Sequence, residues 1–259
     1  MQSFLNNADG LEDCEEDFDV PEYAIKDIEF FIWSMKLYKI RRYNKQRFWT
    51  EESRDAFYAS KIEGGYRLES VAEHSWHVAD CCLALLGRFP SLNERRVLEL
   101  AIVHDKLEII TGDENPIGRD GTGLKTHAFN TSVGLDKAER ETKALQEMMA
   151  LTNHEYAARL EGMLKEYSNC TSDEAKFVKA VDKLQPLFYI IEKKQGILED
   201  KHISFTFKYA DKALVFPGIE SHLNAAKALL IRLIAGKRGV SEKEIYSIAY
   251  APQLDLFKE

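Results

Sequence analysis

Residues 101–105, Ala-Ile-Val-His-Asp, decide how the fold of this chain is interpreted. The apolar residues predict a buried helix that carries the imidazole of His104 and the carboxylate of Asp105 into the protein interior. A buried carboxylate is costly unless a positive charge compensates for it. The pair therefore predicts a divalent cation held at the centre of a helical fold.

Two further side chains complete a candidate metal site. His74 precedes the pair in the sequence and Asp182 follows it. For His74 alone, a hydrogen-bonded core histidine would be the ordinary interpretation. Taken together, two nitrogens and two carboxylate oxygens suit one divalent transition-metal ion (Mn, Co, Fe, Ni or Zn) better than Ca or Mg. Such an ion acidifies a bound water and polarises a phosphoryl oxygen, which indicates a metal-dependent hydrolase.

The bulk composition restricts the class of protein. The chain has 259 residues and a formal net charge of -8, which argues against nucleic-acid binding because phosphate backbones favour basic surfaces. No apolar run approaches the roughly 18 to 20 residues that a membrane span needs. The chain has four cysteines and no Cys-x-x-Cys pair. We interpret them as reduced thiols of a cytoplasmic protein.

Hydrophobic spacing predicts an essentially all-α chain, because helical patterns recur and no strand-helix alternation is present. Residues 1–20 are rich in acidic side chains and predict a disordered tail. Glycine and proline residues predict an irregular loop from 112 to 131, and residues 203–207 weakly favour a strand. Helices are expected from Pro21 to about residue 40 and over residues 70–88, 93–110, 132–152, 154–167, 172–195, 221–235 and 241–250. Ser70 and Glu73 predict a capping box at the start of the second helix.

Residues 36–47 carry six basic side chains and no acidic one, in contrast to the acidic whole. Most of them are expected at a solvated helix end. A local basic cluster can still attract an anionic substrate, whatever the total charge. One or two of these side chains are therefore candidates for holding a phosphate group.

The ordered motifs resemble those of the HD-domain phosphohydrolases, and among these the bacterial 5′-deoxynucleotidase branch. They are Glu-Ser-Val-Ala-Glu-His-Ser at 69–75, His104-Asp105, Glu108, Thr-Gly-Asp at 111–113 and Asp182. The resemblance covers about residues 30–195 and implies an HD-domain helical bundle. We expect residues 21–195 to form this core, after the N-terminal tail, and residues 196–259 to form a C-terminal helical extension packed on it. The resemblance also implies one divalent metal, a homodimer, and release of phosphate from (deoxy)nucleoside 5′-monophosphates.

The resemblance assigns roles to individual residues. Glu108 matches the acidic residue beside the metal-bound water, a general acid or water positioner. Asp113 matches the residue that contacts the sugar 3′-hydroxyl and disfavours a ribose 2′-hydroxyl. The implied metal ligands are His74, His104, Asp105 and Asp182.

The phosphate-binding arginine of the family matches Arg42, whose planar fork suits phosphate oxygens. A slip of one residue in that alignment would select Arg41, which remains a rival.

Two departures from the family pattern concern substrate selectivity. An additional stretch separates Arg42 from Glu69, and the loop after Asp113 is enlarged by a glycine-rich run that ends at Gly123. An enlarged basic entrance suits a triphosphate equally well, so an HD-type (deoxy)nucleoside triphosphate hydrolase is the nearest alternative. A nucleotide-binding regulatory module without turnover is a third interpretation.

A dinuclear site is a further alternative, because His127 and His154 occupy the interval where two-metal HD proteins place additional histidines. Their loop and helix-start positions favour the one-metal interpretation. His77 lies one turn from His74 and is expected outside the ligand set. Lys106 and Lys183 flank metal ligands, and both are expected to point into solvent.

Overall fold

The computed structural model describes residues 21–43, 46–49 and 68–251, and within these ranges the chain forms α-helices and short 3-10 helices without a β-strand. The predicted all-α fold is therefore confirmed. The predicted acidic tail lies outside the described residues, as do much of the segment after residue 43 and residues 252–259. Among the described helices, none is both long and apolar enough to cross a lipid bilayer.

The α-helices are α1 (Glu22–Ser34), α2 (Val71–Leu86), α3 (Glu94–Val103), α4 (Glu108–Thr111), α5 (Thr131–Met149), α6 (His154–Asn169), α7 (Asp173–Lys194), α8 (Asp200–Ala210), α9 (Glu220–Arg238) and α10 (Glu242–Ala249). Short 3-10 helices span Met35–Lys39, Arg47–Trp49, Asp211–Val215 and Pro217–Ile219. Residues 112–130 form the irregular loop that their glycine and proline content predicts.

The start of α2 is held by the predicted capping box. The amide of Glu73 donates to the Ser70 hydroxyl at 3.2 Å, and the amide of Ser70 donates to the Glu73 carboxylate at 2.8 Å. Beside this cap, the amide of Arg42 donates to the carbonyl of Glu69 at 2.9 Å. This pairing ties the basic segment to the beginning of α2 and so places Arg42 near the residues that α2 carries.

The predicted helix over 93–110 is interrupted between His104 and Glu108. Helix α3 ends at Val103, and α4 begins only at Glu108. Between them the amide of Lys106 donates to the carbonyl of Val103 at 2.9 Å, and the amide of Glu108 to that of Asp105 at 3.0 Å. These bonds span three residues rather than four, so the backbone is wound more tightly here than an α-helix.

The weak strand predicted at 203–207 is wrong, because these residues lie inside α8. Alternation of Ile203, Phe205 and Phe207 suits a strand, but the residues between them are also buried or half-buried. Burial on most sides removes the information that alternation carries. A helix also satisfies its backbone hydrogen bonds internally, whereas a single strand needs a partner.

Helix α7 occupies the centre of the fold and contacts α2, α3, α6, α8 and α9. Twelve of its residues are buried, Asp182 among them. Because apolar neighbours surround α7, a charged side chain near its middle faces the interior and needs a partner there. Helices α8 and α9 follow α7 and pack on it, and α10 packs on α8 and α9. The division of the chain at residue 195 stays a prediction.

Segment 46–49 is anchored near the end of α7. The ammonium of Lys194 donates to the carbonyl of Phe48 and lies 4.3 Å from the centre of the Trp49 ring. The Phe48 ring stacks on the imidazole of His202, with ring centres 4.6 Å apart and planes 3° apart. Burial, and secondarily the charge of Lys194, lower the pKa of His202 to about 3.

His202 should make the fold sensitive to acid. Its pKa is lowered in the folded state, so between pH 7 and pH 5 His202 binds a proton only in the unfolded chain. The free energy of unfolding therefore decreases as the pH is lowered. A shift from about 6.5 to about 3 corresponds to roughly 2 kcal/mol of unfolding free energy lost by pH 5. We expect His202→Gln to reduce the difference in urea-unfolding free energy between pH 7 and pH 5 by about this amount.

The matched control is His154→Gln, since His154 is exposed at the start of α6. This substitution should leave the difference in unfolding free energy between pH 7 and pH 5 unchanged. An equal pH dependence in the His202 variant and the unsubstituted protein would contradict the assignment.

Candidate metal centre

The fold brings the four predicted metal ligands together at the middle of the helical core. His74 comes from α2, Asp182 from α7, and His104 and Asp105 from the tight turn after α3. One donor atom from each lies within 4.8 Å of the others. Three of the four side chains belong to buried residues and Asp105 is half-buried. Elements far apart in the sequence therefore build a single pocket of donor atoms.

The separations between donor atoms suit one shared cation. The Nε2 atom of His74 lies 3.1 Å from Asp182 Oδ1, 3.5 Å from Asp105 Oδ2 and 3.3 Å from His104 Nε2. The Nε2 atom of His104 lies 3.2 Å from Asp105 Oδ2. With metal bonds of about 2.0–2.2 Å, ligand atoms at right angles around an ion lie about 3 Å apart.

The hydrogen bonds made by Nδ1 of each imidazole leave Nε2 as the nitrogen that can bind a metal. His104 Nδ1 lies 2.8 Å from the carbonyl of Ala101, and His74 Nδ1 lies 2.9 Å from Oε1 of Gln185. Both oxygens can only accept, so each Nδ1 carries the proton. In the neutral rings, each Nε2 then presents a lone pair to its neighbour and to carboxylate oxygens. A cation between them removes that repulsion, so the donor set fits a bound metal.

Gln185 joins the metal group to Arg42, and sequence reasoning missed it. Its Oε1 accepts from His74 and, at 3.2 Å, from Arg42 Nη1. Its Nε2 donates to Glu69 at 2.7 Å and lies 3.1 Å from Nδ1 of His77. The partners on each side fix the orientation of the amide. Its position three residues after Asp182, about one helical turn, was the signal that could have identified it.

The second oxygen of Asp182 is also occupied. Its Oδ2 accepts from the hydroxyl of Tyr167 at 2.9 Å and from the ammonium of Lys183 at 2.8 Å. The expectation that Lys183 points into solvent is wrong, because its side chain is 22% exposed and lines the cavity beside the metal group. The hydrogen bond to Asp182 compensates for the burial. Lys106 is different, since its ammonium contacts Tyr156 and the Phe30 ring, away from the metal group.

The charge states of the group follow from opposing effects. Burial alone would raise the pKa of Asp182, but the Lys183 ammonium and the two imidazoles hold it well below its ordinary value. Burial, followed by the positive charge of Arg42, lowers the pKa of His74. For His104 burial acts in the same direction, but the Asp105 carboxylate outweighs it and raises the pKa. The carboxylates are thus ionised, as ligation requires.

Glu108 and Asp113 line the same cavity as the metal group. The Oε2 atom of Glu108 is buried, and within the described residues no hydrogen-bond partner reaches it. Burial, and then the charges of Asp105 and Asp113, raise the pKa of Glu108 well above its usual value. Burial also raises the pKa of Asp113, with Arg42 opposing it. The direction of this shift favours the protonated form of the Glu108 carboxyl group, which lines the cavity.

The two rival arginines have different surroundings. Arg42 lines the cavity, with its Nη1 donating to Glu69 at 2.8 Å and its Nε 3.9 Å from Asp113 Oδ1. Arg41 instead donates to Glu73 and to the carbonyl of Leu68, both at 3.4 Å. Only Arg42 belongs to the cavity that contains the metal group.

The other three histidines considered as possible ligands, His77, His127 and His154, lie outside the group of metal-ligand atoms found among the described residues. His77 contacts Gln185 instead, as expected of a residue outside the ligands. His127 lines the cavity 3.6 Å from Glu114, and burial lowers its pKa to about 4. His154 is exposed at the first residue of α6. No second cluster of metal ligands is present in the ranges that the structure describes.

The cavity has a volume of about 660 Å³, within the range of about 300–1,000 Å³ typical of small-molecule sites. Its wall near the metal group contains Arg42, Glu108 and Asp113. Elsewhere it is lined by the aromatic rings of Tyr43, Phe205 and Tyr209. Four lysines also line it: Lys137, Lys179, Lys183 and Lys212. The arrangement offers an acidic metal site, cationic groups for an anion and apolar surface for a ring system.

Gln185 should matter for metal binding although it is not a ligand. We expect Gln185→Leu to weaken binding of Mn²⁺ or Co²⁺ by about 10- to 100-fold, because residues that orient ligands have effects of this size. Isothermal titration calorimetry measures the change, and circular dichroism checks the fold. The matched control is Gln146→Leu on the exposed face of α5. Equal metal affinity in both variants would exclude an orienting role.

Comparison with known proteins agrees with this geometry. The family model described as HD domain matches residues 52–219. The chain is 30% identical over 167 residues to the 5′-deoxynucleotidase HDDC2 of Mus musculus, covering 62% of this chain and 77% of the relative. It is 29% identical over 161 residues to the 5′-deoxynucleotidase hdd1 of Schizosaccharomyces pombe, covering 60% and 73%.

Among solved structures, the fold is similar to that of a predicted metal-dependent phosphohydrolase from Magnetospirillum magnetotacticum MS-1. The TM-score is 0.57 at 22% identity, and the match covers 82% of this chain and 94% of the other. Because identity is low, this likeness concerns the fold. The family match, together with the His-Asp metal group at the centre of the helices, shows that this chain belongs to the HD-domain family.

Proposed function

We propose that this protein is a metal-dependent phosphohydrolase that releases phosphate from deoxynucleoside 5′-monophosphates. The observation that carries the proposal is the convergence of two imidazoles and two carboxylates beside Arg42, Glu108 and Asp113 in one cavity. The names of the similar 5′-deoxynucleotidases support the same substrate class.

Arg42 is the proposed phosphate ligand. Its side chain is 13% exposed, and the contacts with Glu69 and Gln185 hold the guanidinium at the cavity wall. A planar guanidinium binds two phosphate oxygens through parallel hydrogen bonds. Because Arg42 shares Gln185 with His74, the phosphate would lie next to the metal group.

The proposed metal ligands are the Nε2 atoms of His74 and His104 and carboxylate oxygens of Asp105 and Asp182. One divalent transition-metal ion held there supplies an acidified water and polarises the phosphoryl group. The identity of the ion is left open among Mn, Co, Fe, Ni and Zn, all of which accept nitrogen and carboxylate ligands.

Glu108 is the proposed proton-transfer residue. Its Oε2 is buried without a hydrogen-bond partner among the described residues, and burial with the nearby carboxylates raises the pKa of Glu108, which favours the protonated form. A protonated carboxylic acid in the cavity can supply that proton to the 5′-oxygen as the phosphorus-oxygen bond breaks. Asp113 lies 3.9 Å from Arg42 and is proposed to accept a hydrogen bond from the sugar 3′-hydroxyl.

The alternatives remain distinguishable. Hydrolysis of nucleoside triphosphates is favoured by one observation, the number of lysines in the cavity wall. The dinuclear interpretation has little support, because His127 and His154 stand outside the ligand group. A binding module without turnover would have no use for a proton held at Glu108.

A homodimer and a cytoplasmic location are proposed on the family resemblance and the sequence. The dimer is supported by α1 and the turn that follows it, where seven large apolar residues are exposed: Tyr23, Ile25, Ile28, Phe31, Ile32, Met35 and Tyr38. Contiguous apolar patches of this kind are typical of interaction surfaces. Analytical ultracentrifugation would detect the dimer, and a monomer at high protein concentration would exclude it.

The function is tested by phosphate release from a panel of nucleoside mono-, di- and triphosphates with Mn²⁺ or Co²⁺. We expect turnover of deoxynucleoside 5′-monophosphates that a chelator abolishes. Glu108→Gln should lower kcat by about 10²- to 10⁴-fold, the usual contribution of a general acid, with the metal content unchanged. The matched control is Glu139→Gln, because the Glu139 side chain is 69% exposed on α5. Absence of monophosphate turnover would reject the proposal.

The role of Arg42 is tested against its neighbour. We expect Arg42→Lys to raise KM for a monophosphate about tenfold, since Lys keeps the charge but loses the bidentate fork. Arg41→Lys should change KM less than twofold, because Arg41 contacts Glu73 outside the cavity. The opposite result would select Arg41 as the phosphate ligand.

A further inference from the structure

A second cationic region lies in the cavity, separate from Arg42. Four lysines line it, Lys137 from α5, Lys179 and Lys183 from α7, and Lys212 from the 3-10 helix after α8. Three separate elements therefore direct ammonium groups toward one volume. Packing like charges together is unfavourable unless an anion is bound among them.

The lysines are only partly neutralised by the protein. Lys137 lies 3.4 Å from Glu141, and Lys183 donates to Asp182. Within the described residues, no carboxylate forms an ion pair with Lys179 or Lys212. Lys179 donates to the carbonyl of Ser168 at 3.1 Å.

Lys212 shows the effect of this crowding. It donates to the carbonyl of Ala128 and lies 5.4 Å from the centre of the Tyr209 ring. Burial, followed by the charges of the three other lysines, lowers the pKa of Lys212 to about 8. The ammonium group is thus in an environment where an anion would be stabilising.

Lys183 and Arg42 approach the metal group through different residues. Arg42 shares the amide oxygen of Gln185 with Nδ1 of His74, whose Nε2 faces Oδ1 of Asp182. The other oxygen of Asp182 accepts from Lys183. A ligand that contacts Arg42 through one phosphate therefore shares the cavity with a second cationic group, the four lysines, of which Lys183 touches the metal group.

We propose that Lys137, Lys179, Lys183 and Lys212 form a subsite for a second phosphate group, so that the cavity binds the diphosphate portion of nucleoside 5′-di- or triphosphates. The inference rests on the proposed function in taking the cavity as a nucleotide site. It extends that function, because a monophosphate bound at Arg42 would leave Lys179 and Lys212, which have no carboxylate ion-pair partner among the described residues, without an anion. The cavity volume of about 660 Å³ leaves room for a ligand of this size.

The test compares binding of inorganic phosphate and inorganic pyrophosphate to the metal-loaded protein by isothermal titration calorimetry. We expect pyrophosphate to bind at least tenfold more tightly than phosphate. Lys179→Met with Lys212→Met should lower pyrophosphate affinity at least tenfold, with phosphate affinity changed less than twofold. The matched control is Lys237→Met, which removes the same charge from the exposed last turn of α9. Extraction of the metal by pyrophosphate would affect all variants alike.

Two controls keep the result interpretable. Thermal unfolding should show the double variant at least as stable as the unsubstituted protein, because repulsion between lysines is relieved. If it fails to fold, Lys212→Met alone is used, since Met retains most of the packing of the lysine stem. The charge-conserving variant Lys212→Arg should retain the pyrophosphate affinity that Lys212→Met loses.

Equal affinity for phosphate and pyrophosphate, or unchanged pyrophosphate binding in the lysine variants, would overturn the subsite. Competition of deoxynucleoside mono- and triphosphates with pyrophosphate then distinguishes a nucleotide ligand from free pyrophosphate. The outcome is independent of turnover. Loss of the proposed monophosphatase activity with lysine-dependent pyrophosphate binding intact would reject only the proposed function.

Discussion

Two imidazole nitrogens and two carboxylate oxygens occupy a small buried volume, and this constraint organises the rest of the structure. The Nε2 atoms of His74 and His104 are 3.3 Å apart, and Asp105 and Asp182 lie within similar distances of them. The Nδ1 atom of each ring lies within hydrogen-bond distance of an oxygen, the side-chain amide oxygen of Gln185 for His74 and the Ala101 carbonyl for His104, and this contact orients the ring. Because the two Nε2 lone pairs and the carboxylate oxygens would repel one another, a cation bound between them would stabilise the centre of the bundle.

The charges around this centre divide the cavity into regions with different chemistry. Arg42 and Glu108 line the cavity on the side of the metal group where we propose that the phosphoryl group binds. On the other side, Asp182 connects the metal group to Lys183 and so to the lysine wall. One carboxylate therefore serves both regions, with one oxygen facing each. The order of the regions follows from α7, which carries Gln185, Asp182 and two of the lysines.

Local sequence patterns predicted the helices well because their ends carry recognisable chemistry. Ser70 and Glu73 form the predicted capping box, and the glycine-rich run after residue 111 is irregular as expected. The errors occur where local and tertiary preferences compete. The helix over 93–110 breaks after Val103, at the turn that carries His104 and Asp105. Residues 203–207 form a helix because burial on most sides made their alternation uninformative.

By itself, the sequence predicted the all-α class and most helix positions, because helix periodicity is a local property, and it indicated the four side chains of the metal group through their residue types and the resemblance of their motifs to a family. Only the tertiary structure decided which arginine faces the cavity, that Gln185 links Arg42 to His74, and that Lys183 is turned inward to Asp182. These facts depend on distances between residues far apart in the chain. No local pattern encodes such distances, since they are set by how α7 packs against α2 and α3.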